Sequence, residues 1–261
     1  MSALAPKLLA LDFDGVICNG LKEYFQSTKL AYREIWGDSD ALSSPDLAPS
    51  FYRLRPVIET GWEMPVLLRA LVLGITEDRI LENWSFLVQD IVRNEQLDWK
   101  AAGKKLDSVR DKWIASDLAG WLDLHSFYPG IIDRLAQIIS SDTDLYIITT
   151  KEGRFVKQLL QEAGIELPDR VIFGKEYRRP KYETLRQLIN DKGLSPVDIY
   201  FVEDRLEALE SAREQPDLQG IGLYLADWGY NTQQTRDSLQ CNKEIKLLSL
   251  EEFNGDFSTW K

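Results

Sequence analysis

LALDFDGVICNG, residues 9–20, carries an apolar run into two aspartates, Asp12 and Asp14, and then a glycine, Gly15. The overlapping run KLLALDF (7–13) is apolar at successive positions, as suits a strand of a parallel sheet covered on both faces. Alternate residues of a strand share a face, so both carboxylates are expected to lean toward one point at its carboxyl end while Gly15 turns the chain away. Two carboxylates held close raise each other's pKa unless a cation lies between them. Mg²⁺, a hard ion that takes carboxylate, water and phosphate oxygens, is the natural one. Taken alone, the pair reads equally well as turn formers at a strand end.

Four more runs of strand length follow: DLYIITT (144–150), RVIFG (170–174), DIYFVED (198–204) and GIGLYLA (220–226). Between them, KEGRFVKQLLQEAGI places Phe155, Val156, Leu159, Leu160 and Ala163 at helical spacing before Gly164. KYETLRQLINDKGL does the same with Leu185, Leu188 and Ile189 before Gly193. This alternation predicts an α/β fold, a doubly wound parallel sheet of the Rossmann-like kind, with ligands at the carboxyl ends of its strands. Residues 20–125 have a different texture, rich in helix formers, with no strand-like run. Helices are predicted over 21–36, 59–73, 77–95 and 99–117, separated by Ser43, Ser44, Pro45, Pro56 and Gly74, with Gly103 and Gly120 read as further breaks. An all-helical insertion after the first strand results, with Trp84, Trp99 and Trp113 expected in its core. The stretch after residue 230 reads as a polar connection and a closing element to which no role is assigned.

Composition narrows the partners. The chain has 261 residues, enough for one large domain or a domain with an insertion. Its net charge is -11 and it has no block of lysine and arginine, which argues against nucleic acid while leaving a small anionic ligand open. Cys18 and Cys241 offer neither a disulfide framework nor metal-ligand spacing, which favours a reducing compartment. The apolar run near the N-terminus is too short for a secretory signal or a membrane span, so a soluble, cytoplasmic protein with no membrane partner is expected. Monomer and homodimer both remain open.

The other strand ends decide between turn formers and chemistry. DIYFVED closes on a second acidic pair, Glu203 and Asp204, with Glu207 one turn further on. DLYIITT closes on Thr149 and Thr150, hydroxyl donors placed just before a helix whose N-terminal amides favour an anion. RRPKYETL supplies Lys181 at the start of another helix, a cation able to reach a phosphoryl group. Lys175 is the competing lysine, and Lys181 is preferred because Pro180 precedes it and an amphipathic helix follows. A loop explanation would need four coincidences.

In order and spacing these four strand ends resemble the haloacid dehalogenase (HAD) superfamily of phosphohydrolases, over about residues 7–18 and 126–226. The stretch SFYPGIIDRLAQI (126–138) is similar to the family's segment in which a Pro-Gly pair opens a helix. The resemblance implies a core domain of residues 1–18 and 126–261 and a helical cap of residues 19–125 that closes on the substrate and excludes water. It implies Asp12 as the nucleophile carrying an aspartyl-phosphate, and Asp14 as general acid and then base. Thr149, Thr150 and the Gly15-side amides would bind phosphoryl oxygens, and Lys181 would neutralise charge. Mg²⁺ would be held by Asp12, Asp204, Glu203 and the Asp14 carbonyl. Thr150 stands where asparagine is common, so one secondary contact is expected to differ.

Within the cap, Arg53 or Arg55 offers a bidentate grip on a substrate carboxylate, set against the plainer reading of charges solvating a loop. His125, the sole histidine, reads as a packing residue near the return to the core. The implied activity is Mg²⁺-dependent hydrolysis of a small phosphorylated metabolite, of the phosphoglycolate-phosphatase kind. The alternatives are a sugar-phosphate mutase of the β-phosphoglucomutase kind and a non-catalytic binding module on the same fold.

Overall fold

The computed structural model describes residues 5–260. Residues 1–4 of the expected core domain lie outside it. The chain divides into two compact units, one formed up to Asn19 and from Phe127 onward, the other Gly20–Ser126.

The first unit is built on a six-stranded, wholly parallel sheet. Its strands are β1 (Leu8–Leu11), β4 (Asp144–Ile148), β5 (Ile172–Phe173), β6 (Ile199–Glu203), β7 (Gly222–Ala226) and β8 (Ile245–Leu248), in the order β5-β4-β1-β6-β7-β8. Two two-residue strands, β2 (Cys18–Asn19) and β3 (Ser126–Phe127), mark the points where the chain leaves and re-enters this unit. Every residue of β1 is fully buried, which is why its run is apolar without alternation. Leu8 and Ala10 join Tyr146, Ile148, Phe201 and Leu223 in a cluster that also takes Leu185, Leu188 and Leu209 from helices. From β1 the chain builds β4 and β5 on one side, then returns to build β6, β7 and β8 on the other. Strand order therefore reverses at β1, where the carboxyl edge of such a sheet opens a crevice.

The closing element has a structural role that the sequence did not disclose. Residues 245–248 add β8 to the sheet edge beside β7. Beyond it Trp260, 2% exposed, stacks on Tyr200 at 5.9 Å between centroids and meets Tyr224 edge-on at 5.1 Å. The tail thus closes an aromatic cluster with Phe253 and Phe257.

The second unit is helical: α1 (Leu21–Trp36), α2 (Leu47–Leu54), α3 (Glu63–Val72), α4 (Glu77–Asn94), α5 (Trp99–Ser116) and α6 (Leu118–Leu122). Helix α1 packs on α3 and α5. Pro45 does not leave a plain loop: a 3-10 turn at Asp40–Ser43 is followed by α2, a helix that the periodicity did not reveal. Gly103 and Gly120 do not break helices but lie inside α5 and α6, since helix packing overrides the weak local preference of a single glycine. Among the tryptophans, Trp84 is buried and Trp113 half-buried, but Trp99 is 47% exposed at the first position of α5, where it leans on Trp62 at 5.7 Å. Helical spacing marks a face, and at a helix end that face runs past its neighbours.

A buried charge network organises this unit. Glu23, 1% exposed, accepts from Arg110 Nε at 2.7 Å and Nη2 at 3.1 Å, from Ser27 Oγ at 2.5 Å and from Trp121 Nε1 at 3.2 Å. A buried carboxylate is tolerable only when its lone pairs are filled in this way.

Candidate active site

Strand β1 stops at Leu11, one residue before the acids. Asp12 N still donates to Val202 O at 2.9 Å, after which residues 13–18 fold into a tight loop in which Ile17 N and Cys18 N both donate to Phe13 O. The expectation that Asp12 and Asp14 share a strand face is therefore corrected. The chain has left strand geometry between them, and the two carboxylates have different partners.

Asp12 joins the end of β6. One ligand oxygen from each of Asp12, Glu203 and Asp204, all buried, lies within 4.8 Å of the others. Lys181, at the first position of the helix Lys181–Lys192, stands 2.9 Å from Asp12 Oδ1 and also donates to Glu203. Burial pushes the Asp12 carboxyl up to about 7, with Lys181 pulling it down and Glu203 pushing it further up. For Lys181 burial works against the ammonium, but Asp12 and Glu203 outweigh it and hold the amine above its usual range. Glu203 is further fixed by Arg205 N, which donates to Oε2 at 2.7 Å. Lys175, the competing lysine, is exposed on the 3-10 turn before that helix.

Asp204 is clamped by the loop that follows β7 and by Gly15. Tyr230 N donates to its Oδ2 at 2.8 Å, and Asn231 Nδ2 donates to its backbone carbonyl at 3.1 Å. Gly15, at φ +87°, lies against it so closely that a Cβ would meet Oδ2 at 2.0 Å. Gly229 approaches from the other flank, where a Cβ would meet Asp204 Cβ at 2.3 Å and Gly15 O at 2.7 Å. Trp228 Nε1 donates to Val16 O at 3.0 Å and holds the loop after Asp14. Burial, with the Asp204 charge second, pushes the neighbouring Tyr128 hydroxyl well above its ordinary range.

On the other side of β1, Thr149 closes β4, buried, with its amide donating to Phe173 O at 2.9 Å and its Oγ1 accepting from Lys151 N at 3.1 Å. Thr150 is exposed, outside the buried group. Asp14 Oδ1 pairs with Lys151 Nζ at 3.2 Å, a partner not foreseen from the sequence. In the helical unit, Arg53 has a different partner from the expected substrate carboxylate: its Nε and Nη2 close on Glu77 at 2.8 and 2.5 Å, which fills the fork. Arg55 donates to Ile58 O at 3.1 Å and lies over the Tyr24 ring at 5.1 Å. His125 packs edge-on against Trp121 at 4.6 Å between ring centroids.

Lys151 and the loop Trp228–Asn231 were the residues that sequence reasoning missed. The one available signal was position, since DWGYN (227–231) directly follows a strand and so must lie at the carboxyl edge.

Chemically, the three buried carboxylates make an all-oxygen donor set of the kind that suits a hard divalent ion, beside a lysine ammonium and a threonine hydroxyl. No helix among the described residues is long and apolar enough to cross a membrane.

Comparison with known proteins bears on the fold and the family. Phosphoglycolate phosphatase of Synechococcus elongatus is 25% identical over 122 residues, covering 47% of this chain and 56% of that protein. Phosphoglycolate phosphatase 1 of Pseudomonas aeruginosa is 27% identical over 124 residues, 45% of this chain and 44% of that protein. The chain thus spans about half the length of the curated relatives it matches. Among solved structures, one from Haemophilus somnus described as a predicted phosphoglycolate phosphatase superposes with a TM-score of 0.59 at 18% identity, over 97% of this chain and 95% of that one. A haloacid dehalogenase-like family hydrolase from Streptococcus pneumoniae gives 0.53 at 19% identity over 95% of each chain. At such identities these structures speak for the fold. The family model described as haloacid dehalogenase-like hydrolase matches residues 72–215. That match takes in more than half of the chain, and the chain therefore belongs to the haloacid dehalogenase-like hydrolase family.

Proposed function

We propose that this protein is a Mg²⁺-dependent phosphatase that hydrolyses a small phosphorylated metabolite through an aspartyl-phosphate intermediate, with residues 1–18 and 126–261 as its core and 19–125 as its cap. The observation that carries the reading is the buried trio Asp12, Glu203 and Asp204 with Lys181 between two of its members. Such a cluster is costly unless a cation and an anion share the pocket. The curated relatives of the same family are both phosphoglycolate phosphatases, which makes 2-phosphoglycolate the first substrate to assay.

In this reading Asp12 attacks phosphorus, and Asp14 protonates the departing ester oxygen, then takes a proton from the water that hydrolyses the intermediate. Thr149 Oγ1 and the amides beside Gly15 bind the transferring oxygens, and Lys181 offsets charge between the nucleophile and the phosphoryl group. Asp12, Asp204, Glu203 and the Asp14 carbonyl would hold the ion. Mg²⁺ bound there would draw charge from the phosphoryl oxygens and relieve repulsion among the acids. Arg53 is left out of the substrate contacts because Glu77 fills its fork.

Release of inorganic phosphate from p-nitrophenyl phosphate and 2-phosphoglycolate, with and without Mg²⁺, tests the reading. Turnover should need both the metal and Asp12, and Asp12→Asn should be folded by circular dichroism yet inactive. A folded Asp12→Asn variant that hydrolyses at the wild-type rate would remove Asp12 as nucleophile. Sugar-phosphate interconversion without net phosphate release would turn the assignment toward a mutase.

A further inference from the structure

The pairing of Lys151 with Asp14 has no place in the four strand-end motifs. Its Nζ lies 3.2 Å from Asp14 Oδ1, with the lysine side chain 9% and the aspartate side chain 15% exposed. An ammonium taken this far out of water requires a fixed acceptor. The backbone that carries it is pinned at both ends: Lys151 N donates to Thr149 Oγ1 at 3.1 Å, and Lys151 O accepts from Lys175 N at 2.9 Å. Packing beneath is close, since a Cβ on Gly174 would meet Gly153 N at 2.4 Å. One short turn therefore orients the Thr149 hydroxyl and aims the lysine at Asp14. Asp14 sits in a loop beyond the end of β1, whereas the other buried lysine, Lys181, pairs with Asp12 and Glu203.

We propose that Lys151 is a positioning residue that holds the Asp14 carboxyl group in line with the ester oxygen, so that protonation of the leaving group keeps pace with bond cleavage. This inference rests on the hydrolytic role given to Asp14 above. In the step concerned, an Asp12 oxygen donates an electron pair to phosphorus and forms the new P–O bond. The ester P–O bond breaks with its pair on the alcohol oxygen, which takes the Asp14 proton. Asp14 is left as a carboxylate, still within reach of the Lys151 ammonium that fixes its place. Lys151 touches neither phosphorus nor the ester oxygen in this account; it acts through Asp14.

The test compares kcat/KM for p-nitrophenyl phosphate and phenyl phosphate in wild type, Asp14→Asn, Lys151→Met and Lys151→Arg. The two esters have similar shape, but p-nitrophenolate departs without a proton whereas phenolate benefits from one. The ratio kcat/KM reports the first irreversible step, which is phosphoryl transfer to Asp12. Lys151→Met, which keeps the stem and removes the charge, should lower kcat/KM for phenyl phosphate at least tenfold more than for the nitrophenyl ester, through kcat with KM little changed. Lys151→Arg should restore part of the difference. An equal fall on both esters, or a rise confined to KM, overturns the inference and leaves Lys151 a structural or substrate-binding residue. If Asp14→Asn itself shows no selectivity for the poorer leaving group, the role of Asp14 fails and the inference falls with it. Selectivity in Asp14→Asn without selectivity in Lys151→Met overturns the inference alone.

Discussion

Gly15 and Asp204 are in contact at a place where no side chain fits: a Cβ on residue 15 would stand 2.0 Å from Asp204 Oδ2. Position 15 also holds φ +87°, which L side chains rarely adopt. Gly15→Ala should therefore lose about 1–3 kcal/mol of stability through strain alone. It should also push Asp204 away from Asp12 and abolish the proposed phosphatase activity. Denaturant titration beside a phosphate-release assay checks both, and an active, fully stable Gly15→Ala variant would contradict the packing described.

Lys181 is the cation between Asp12 and Glu203. Lys181→Met leaves two buried carboxylates facing each other, and removal of one partner from a buried ionic group costs about 3–5 kcal/mol. The expected result is a large fall in stability in metal-free buffer, partly recovered on adding Mg²⁺. A variant as stable as wild type in chelator would show that the acids are not held against each other.

Metal binding should be visible without turnover. A ligand that binds only the folded state stabilises it by about 2.7 kcal/mol at roughly a hundred times its Kd. Mg²⁺ should raise the unfolding midpoint of the wild type, and Asp204→Asn should abolish that increment while remaining folded. Equal increments in both proteins would place the ion elsewhere.

In the helical unit, Glu23 receives bonds from Arg110, Ser27 and Trp121. Glu23→Ala strands the Arg110 guanidinium in a buried position and should cost about 3–5 kcal/mol. Protease susceptibility should rise first within residues 20–126. Replacement by Gln, which keeps acceptor capacity but not charge, should cost less, and a neutral Glu23→Ala would argue that water reaches the network.

Five of the six strands were legible because runs such as LLAL and YFV are apolar on both faces, and that pattern leaves few choices other than a covered parallel sheet. The residues at their ends were legible because acids, hydroxyl and lysine recurred at one kind of position. The sixth strand was not. Lys246 and Leu247 at the sheet edge are exposed, so Ile245–Leu248 lacks the continuous burial that marks the others. Lys151 escaped notice because in TTKEG the hydroxyls carried the argument, and no periodicity says where a loop lysine points. Gly229 and Tyr230 act through a missing side chain and a backbone amide, neither of which leaves a chemical signature in a string of letters.

The anchor of Asp204 Oδ2 by the amide of Tyr230 has a consequence for how this protein tolerates change. Residue identity at 230 hardly matters to that bond, apart from proline, which lacks the donor. What the bond does demand is a fixed number of steps from Ala226 to Asn231, so inserting or deleting a single residue there should be more damaging than most replacements within it. Spacing, in this loop, is the inherited quantity.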